Sequence, residues 1–151
     1  MTLDQELQDH PFNHGLTPSQ IASLRPLTSR VVFEEDDLIL VDGQRSASFY
    51  LVTSGSVAVE LATPRYAVIV QALAAGDVFG WSAVLDRQDT LFQVRAREHT
   101  TALQIPGESL RRLCRTDPQL GTEILHRLLQ VVAGRVKATE VRFAEMCGVR
   151  V

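Results

Sequence analysis

From Val31 to Ile105 the apolar residues fall in short runs separated by turn-forming residues. Val31–Phe33, Leu38–Val41, Phe49–Val52, Val57–Leu61, Tyr66–Val70, Phe92–Val94 and Thr101–Ile105 are the candidate strands. Asp42-Gly43 and Ser54-Gly55 lie between them, where residues that accept a positive φ make tight hairpins. Short strands at this spacing predict a mainly β fold with flanking α-helices: an antiparallel β-roll of the double-stranded β-helix, or jelly-roll, type.

Helical signals flank this region. Thr17-Pro18-Ser19-Gln20 has the form of a capping box, with proline at the first helical position and Ile21, Leu24 and Leu27 on the apolar side. Upstream, His10–His14 reads as a loop that tucks Phe12 against the core. Pro106-Gly107-Glu108-Ser109 opens a short helix through Leu110 and Leu113, and Asp117-Pro118 caps a second start. No strong breaker follows before Gly148, because Gly134 costs only roughly 1 kcal/mol in a helix interior. This long helix carries Leu125, Leu129, Val132, Val136, Thr139, Phe143 and Met146, at steps of 4, 3, 4, 3, 4 and 3 residues, an unbroken heptad seam. A second row, Ile124, Leu128 and Val131, is expected to pack on the roll. Two apolar faces predict two partners, the chain's own domain and a second copy, and hence a homodimer. The expected organisation is a single domain over 1–151: an N-terminal arm 1–16, a helix 17–27, a β-roll 30–105 that includes the segment 76–96, a short helix 106–116 and a long helix 117–147.

Composition narrows the chemistry. The chain has 151 residues, 45% of them hydrophobic, enough for one sizeable core. A net charge of −3 gives no electrostatic reason to expect nucleic acid as the main partner. No apolar run approaches the ~20 residues that span a bilayer, and Met1-Thr2-Leu3-Asp4-Gln5-Glu6 lacks the pattern of a secretory signal. Cys114 and Cys147 have no metal or redox spacing. A reduced, cytoplasmic location and no membrane partner are expected. The histidines, His10, His14, His99 and His126, form no His-x-His pair, so no metal site is expected and a metal-dependent cupin enzyme is a lesser alternative. His126 reads as a solvated or interfacial residue ahead of a haem ligand. Ser82 in Gly-Trp-Ser-Ala lacks the second glycine of a nucleophile elbow. No catalytic residue and no enzymatic activity are expected.

The segment richest in chemistry is Gly76-Asp-Val-Phe-Gly-Trp-Ser-Ala-Val-Leu85, followed by Val94-Arg95-Ala96. Gly80 opens a single helical turn whose free backbone N–H groups, those of Ser82 and Ala83 among them, suit an anion. A glycine there leaves room for a ligand to approach the backbone. Together with Gly43, Phe49-Tyr50-Leu51, Gly55 and Ile105-Pro106, in this order, the segment resembles the cyclic-nucleotide-binding domain family, the sensor fold of the catabolite activator protein. The resemblance covers roughly residues 10 to 147. It implies that 76–96 is a phosphate-binding cassette and that the ligand is a cyclic nucleotide or another small anion, with no other cofactor.

The resemblance also implies ligand contacts from Gly80, Trp81, Ser82, Ala83, Thr90 and Leu91, and from Thr139 on the long helix. In the ligand-binding relatives a glutamate at the position of Trp81 grips the ribose 2′-hydroxyl. An arginine at the position of Thr90 pairs with the cyclic phosphate, and a small residue stands at Leu91. An indole nitrogen cannot accept a hydrogen bond, and a threonine offers a hydroxyl without charge. Arg87 is the nearest cation within the segment. Trp81 either stacks on a planar ligand or plugs the pocket, and Thr139 either sets the register of the seam or reaches the ligand. Weak cyclic AMP binding is expected. Only Gly148–Val151 follows the long helix, too little for a helix-turn-helix, so the output is expected to pass through another protein or through dimer geometry. The resulting expectation is a non-enzymatic regulatory module that senses a small anionic ligand at Gly80–Ala83 and signals through its dimer helix. The alternatives are a dimerising scaffold with no ligand and, less favoured, a cupin-type enzyme.

Overall fold

The computed structural model describes residues 1–85 and 92–150. Eight short strands pair into two antiparallel sheets: β1 (Ser29–Phe33), β2 (Leu38–Leu40), β3 (Ser48–Ser54), β4 (Ser56–Ala62), β5 (Ala67–Ala74), β6 (Val78–Phe79), β7 (Gln93–Ala96) and β8 (Thr100–Pro106). One sheet has the order β1-β8-β3-β6 and the other β2-β7-β4-β5. This is the expected β-roll. Strand alternation decides what lies inside it. Tyr50 and Val52 of β3 and Val57 of β4 join Leu73, Phe79 and Val94 in one buried cluster, with Val31, Phe33, Ile39, Leu40 and Val59 packed against it. The Tyr50 and Phe79 rings stack at 4.7 Å, and Phe33 meets Tyr50 edge-on at 5.9 Å. Phe49, the neighbour of Tyr50 along β3, points to the other face of its sheet and meets the ring of Phe12 at 5.2 Å.

The strands agree with the apolar runs to within a few residues, except β6. Its two residues, Val78 and Phe79, add an edge beside β3 and are too few to show a period. The second sheet carries a buried polar cluster on its outer face. There Glu60 of β4 sits opposite Gln93 of β7 and accepts hydrogen bonds from Gln93 Nε2 (2.8 Å) and Arg95 Nε (3.2 Å). Arg95 also donates to the Asp36 carbonyl at 2.9 Å, which ties the β1–β2 turn to β7.

The N-terminal residues are more ordered than an arm. Thr2 and Gln5 form a capping box for helix α1 (Leu3–Asp9), and Pro11–Asn13, expected as a loop, make one 3-10 turn that buries Phe12. Helix α2 (Pro18–Leu24) starts at the predicted Thr17 capping box. Arg30 joins Glu6 at 2.6 Å and Arg25 joins Asp4 at 2.9 Å, both on the surface. Helix α3 runs over Gly107–Thr116.

By contact the described residues divide into two units, Met1–Leu113 and Cys114–Val151. The second consists mainly of helix α4 (Pro118–Met146), capped by the Asp117 carboxylate on the Leu120 amide at 3.2 Å. Leu120, Gly121, Ile124 and Leu128 are its buried residues, and Val131, the third of the expected second row, is half-buried. On the heptad seam Leu125, Leu129, Val136, Phe143 and Met146 are exposed, from 48% to 81%. No helix among the described residues is long and apolar enough to cross a membrane.

His10 fastens the N-terminal residues to the roll. Its Nδ1 accepts from the Phe12 amide at 3.2 Å and its Nε2 lies 2.9 Å from the Val52 carbonyl, to which it donates. A ring used in this way is neutral. Burial lowers its pKa below the ordinary 6.5, against opposing contributions from the Val52 hydrogen bond and the Asp77 charge. A lowered pKa in the fold means that the neutral ring stabilises the protein above about pH 6.5. That contribution is lost as the pH falls from there through the folded value. Thermal melts between pH 7 and 5 should therefore drop more steeply for the wild type than for His10→Gln, which has nothing to titrate at this place. Parallel profiles would show that His10 carries no such linkage.

Candidate functional site

Gly80 has φ +76°, in the left-handed region that a side chain disfavours. It follows β6 and opens the 3-10 turn Trp81–Val84. The space where its Cβ would be is taken by the protein. A Cβ there would lie 2.5 Å from the Ser48 carbonyl oxygen, 3.0 Å from Ser46 Oγ and 3.2 Å from Tyr50 Cδ2. The glycine expected to make room for a ligand thus lets the turn lie directly on the start of β3. Ser46 completes this contact. Its amide donates to Ser82 Oγ at 3.1 Å, and its own hydroxyl donates to the Ser48 carbonyl at 2.5 Å.

Helix α3 holds the turn at a second point. Gly107 approaches so closely that a Cβ on it would run into the Ala83 carbonyl oxygen and lie 2.8 Å from the Ala83 Cβ. The Gly107 amide donates to the Ala47 carbonyl at 2.9 Å, and the Arg111 guanidinium donates to the Ala83 carbonyl. Arg45, on the loop before β3, donates from Nη1 to the Leu85 carbonyl at 3.2 Å. Two cations thus sit on the C-terminal end of the turn, where its carbonyls concentrate negative charge.

The turn uses part of its own donor set. The Ala83 amide, expected as a free donor, is bonded to the Gly80 carbonyl at 3.0 Å, and the Leu85 amide to that of Ser82 at 3.2 Å. A 3-10 turn closes its bonds one residue earlier than an α-helix and so consumes this N–H. Ser82, Ala83 and Val84 are buried and Trp81 is half-buried. Beside the turn, Gln104 Nε2 donates to Ser48 Oγ at 3.0 Å and lies 3.5 Å from the Tyr50 hydroxyl. Burial pushes the Tyr50 phenol above its ordinary value, against a hydrogen bond with Ser48 that works the other way. The phenol is therefore neutral at physiological pH.

Of the expected ligand residues, the structure brings Gly80, Trp81, Ser82 and Ala83 together in one turn. Arg87, Thr90 and Leu91 lie outside the described residues. Thr139 belongs to the second unit, and its hydroxyl donates to the Arg135 carbonyl one turn back, at 2.9 Å. Sequence reasoning missed Arg45, Gly107 and Arg111, whose roles depend on contacts distant along the chain. Among the described residues no group of three or more metal-ligating side chains occurs.

The family model of the cyclic nucleotide-binding domain matches residues 30–117. The chain belongs to this family. No curated protein matches it in sequence. Its fold is shared by a cyclic nucleotide-binding domain from Methylobacillus flagellatus KT, with a TM-score of 0.83, 19% identity and coverage of 95% of this chain and 83% of that one. It is similar to a protein from Geobacter metallireducens GS-15 described as cyclic nucleotide-binding, with a TM-score of 0.80, 19% identity and coverage of 90% and 99%. A third structure is the regulatory subunit of a cAMP-independent protein kinase A from Trypanosoma brucei. It was solved as a mutant in which a consecutive Thr-Val is changed to Arg-Ala and a Glu to Ala, bound to cAMP in its A site. The TM-score is 0.71 and the identity 24%, over 85% of this chain and 45% of that one. At these identities the likeness is one of fold. The turn just described lies within residues 76–96, the segment expected to be the cassette.

Replacing Gly80 by alanine tests that description. Left-handed backbone strain alone costs on the order of 1–3 kcal/mol, and the clash with the Ser48 carbonyl adds to it. Gly80→Ala should lose at least about 1 kcal/mol in urea denaturation. A variant as stable as the wild type would mean that the turn does not press on β3.

Proposed function

We propose that this domain is a cytoplasmic, non-enzymatic regulatory module that senses a small anionic ligand at the Gly80–Ala83 turn and signals through a homodimer of α4. The observation that carries the reading is the cassette itself. Its backbone is built as a left-handed Gly80 followed by a turn that is held from β3 and α3, although its recognition side chains are changed. The ligand is a cyclic nucleotide or another small anion bearing phosphate or carboxylate. Trp81 supplies no acceptor for a ribose hydroxyl, and Thr90 supplies no charge. In the kinase regulatory subunit, the cAMP-bound form carries Arg-Ala in place of Thr-Val, and Thr90-Leu91 is of the Thr-Val kind. This supports a ligand other than cyclic AMP. Output passes to a partner protein through dimer geometry. The second reading, a scaffold with no ligand, draws on the stacked Tyr50 and Phe79 rings that fill the roll beside the turn.

Each lost charged hydrogen bond costs ~1.5–3 kcal/mol, so two imply roughly 10²–10⁴-fold weaker cyclic AMP binding than a relative with both. Calorimetry with cyclic AMP and cyclic GMP should give dissociation constants well above the low micromolar range. A low micromolar value for either would overturn the argument. The double variant Trp81→Glu with Thr90→Arg should create tight cyclic-nucleotide binding. Its failure would favour a plugged pocket and the scaffold reading.

The dimer is supported by the exposed seam of Leu125, Leu129, Val136, Phe143 and Met146. Each such side chain contributes roughly 1.5–3 kcal/mol when fully buried. With Leu129 and Val136 at a and Val132 and Thr139 at d, Arg135 takes a g position and Glu140 the e position five residues on. In a parallel pair these meet across the interface with opposite charge, whereas an antiparallel pair sets g positions, such as Arg135 and Arg142, against each other. Val136→Asp should therefore give monomers in ultracentrifugation at micromolar concentration, where the wild type sediments as a dimer. A monomeric wild type would refute the seam.

A further inference from the structure

We propose that the stretch Tyr66–Ile69, where the chain turns into β5, is a docking edge for an extended segment of a partner protein. The incoming segment adds antiparallel to β5, carries alternating apolar side chains and brings a carboxylate to Arg65. This docking requires neither a ligand at the Gly80–Ala83 turn nor the pairing of α4.

The two sheets have four edges, formed by β1, β6, β2 and β5. Short strands and charged side chains keep an edge from pairing with another chain, and the first three have them. β1 carries Arg30, whose guanidinium is tied to Glu6 and to the Met1 carbonyl. β6 has two residues. β2 has three, set between the acidic turn Glu34–Asp37 and Asp42. β5 differs from all of these. It has eight residues, Ala-Val-Ile-Val-Gln-Ala-Leu-Ala, with neither a charge nor a proline among them.

At the turn end of this edge the backbone is aimed outward. The Thr63 amide donates to the Tyr66 carbonyl at 2.8 Å. Antiparallel pairs alternate between bonded and non-bonded, so Val68 turns its backbone groups to Leu61 of β4, while Ala67 and Ile69 turn theirs away from it. The side chains are open as well. Val68 and Ile69 point to opposite faces, yet they are 41% and 44% exposed, and Tyr66 beside them is 65% exposed. The regular stretch ends after Ile69, where the register shifts opposite Val59 and Glu60. Charge selects the occupant. Arg65 in the turn is exposed, and among the described residues its guanidinium has no partner. No acidic residue lies between Leu61 and Gly76, so a second copy of this edge offers Arg65 no carboxylate. A partner strand with an acidic residue at that end does.

The probe is a fluorescein-labelled peptide with an amidated C-terminus, Thr-Val-Thr-Val-Thr-Val-Glu, whose last residue meets Arg65 in the antiparallel arrangement. A second peptide ends in Lys instead. In anisotropy titrations the wild type should bind the Glu peptide at submillimolar concentration and the Lys peptide about 2–5-fold more weakly. Arg65→Glu should reverse that order. Val68→Lys, which puts a charge on the edge, should weaken both peptides about tenfold or more. In nuclear magnetic resonance spectra the amides of Ala67 and Ile69 should shift most. The proposal is overturned if neither peptide binds at millimolar concentration, if Arg65→Glu keeps the wild-type order, if Val68→Lys binds undiminished, or if the shifts fall elsewhere. It is also overturned if Val68→Lys sediments as a smaller assembly than the wild type, which would make a second copy the occupant.

Discussion

The contact between Gly80 and the Ser48 carbonyl is the constraint from which the rest of the site follows. Two chain segments cannot lie this close if either carries a Cβ at the point of contact, since 2.5 Å is well inside van der Waals separation. With glycine there, the turn Trp81–Val84 rests on the first residues of β3. The Tyr50 ring of that strand stacks on Phe79, the residue just before the glycine. One apolar stacking contact and one missing side chain therefore fix both the height and the direction of the turn. The serines do the polar part: Ser46 satisfies Ser82 and the Ser48 carbonyl, groups that would cost free energy if buried without partners.

A second glycine repeats the device on the α3 side. Gly107 allows α3 to start against Ala83, while its amide is bonded to Ala47. The Ala47 carbonyl lies between Ser46, which holds the turn, and Ser48, on which the turn rests. The loop before β3, the cassette turn and the first turn of α3 thus form one close-packed knot. Close-packed interiors absorb displacement poorly. A ligand that displaced the Ser82–Ala83 backbone would have to move Gly107 and Arg111 too, or break the bond to Ala83. The geometry gives the cassette a mechanical connection to the helix that follows the roll, through a backbone contact and one guanidinium.

What the sequence revealed and what it hid divide along the range of the interactions. The β-roll was legible because alternation and Gly turns are local, and α2 and α4 because a cap and a period announce them. Helix α1 was missed although Thr2-Leu3-Asp4-Gln5 carries the same capping signal as Thr17–Gln20, because only one buried residue, Leu7, gives it an apolar side. Strand β6 was hidden by its length. The turn after Gly80 was legible, but its donor set was not, since nothing local to the sequence says that the turn closes as 3-10 and occupies the Ala83 amide. The contacts of Arg45 and Arg111 with this stretch of backbone were not legible in the sequence. Nothing near them in the chain marks their carbonyl partners, which are 40 and 28 residues away.

Helix α4 poses an energetic problem that its own sequence answers. It has 29 residues, yet its buried ones, Leu120, Gly121, Ile124 and Leu128, all lie in its first eleven. Beyond Leu128 the helix has no buried side chain to stabilise it, and helical propensity alone gives marginal stability over such a length in water. Val131, Val132, Val136 and Thr139 are β-branched, which lowers that propensity further. A polar surface helix would meet the deficit with charge pairs. This one presents Leu129, Val136, Phe143 and Met146 to solvent as well, at the spacing that two helices share when each buries the other's side chains. In the proposed dimer the residues that make the isolated segment costly would stabilise the paired one, so order in the second half of α4 and association of two chains would be a single event.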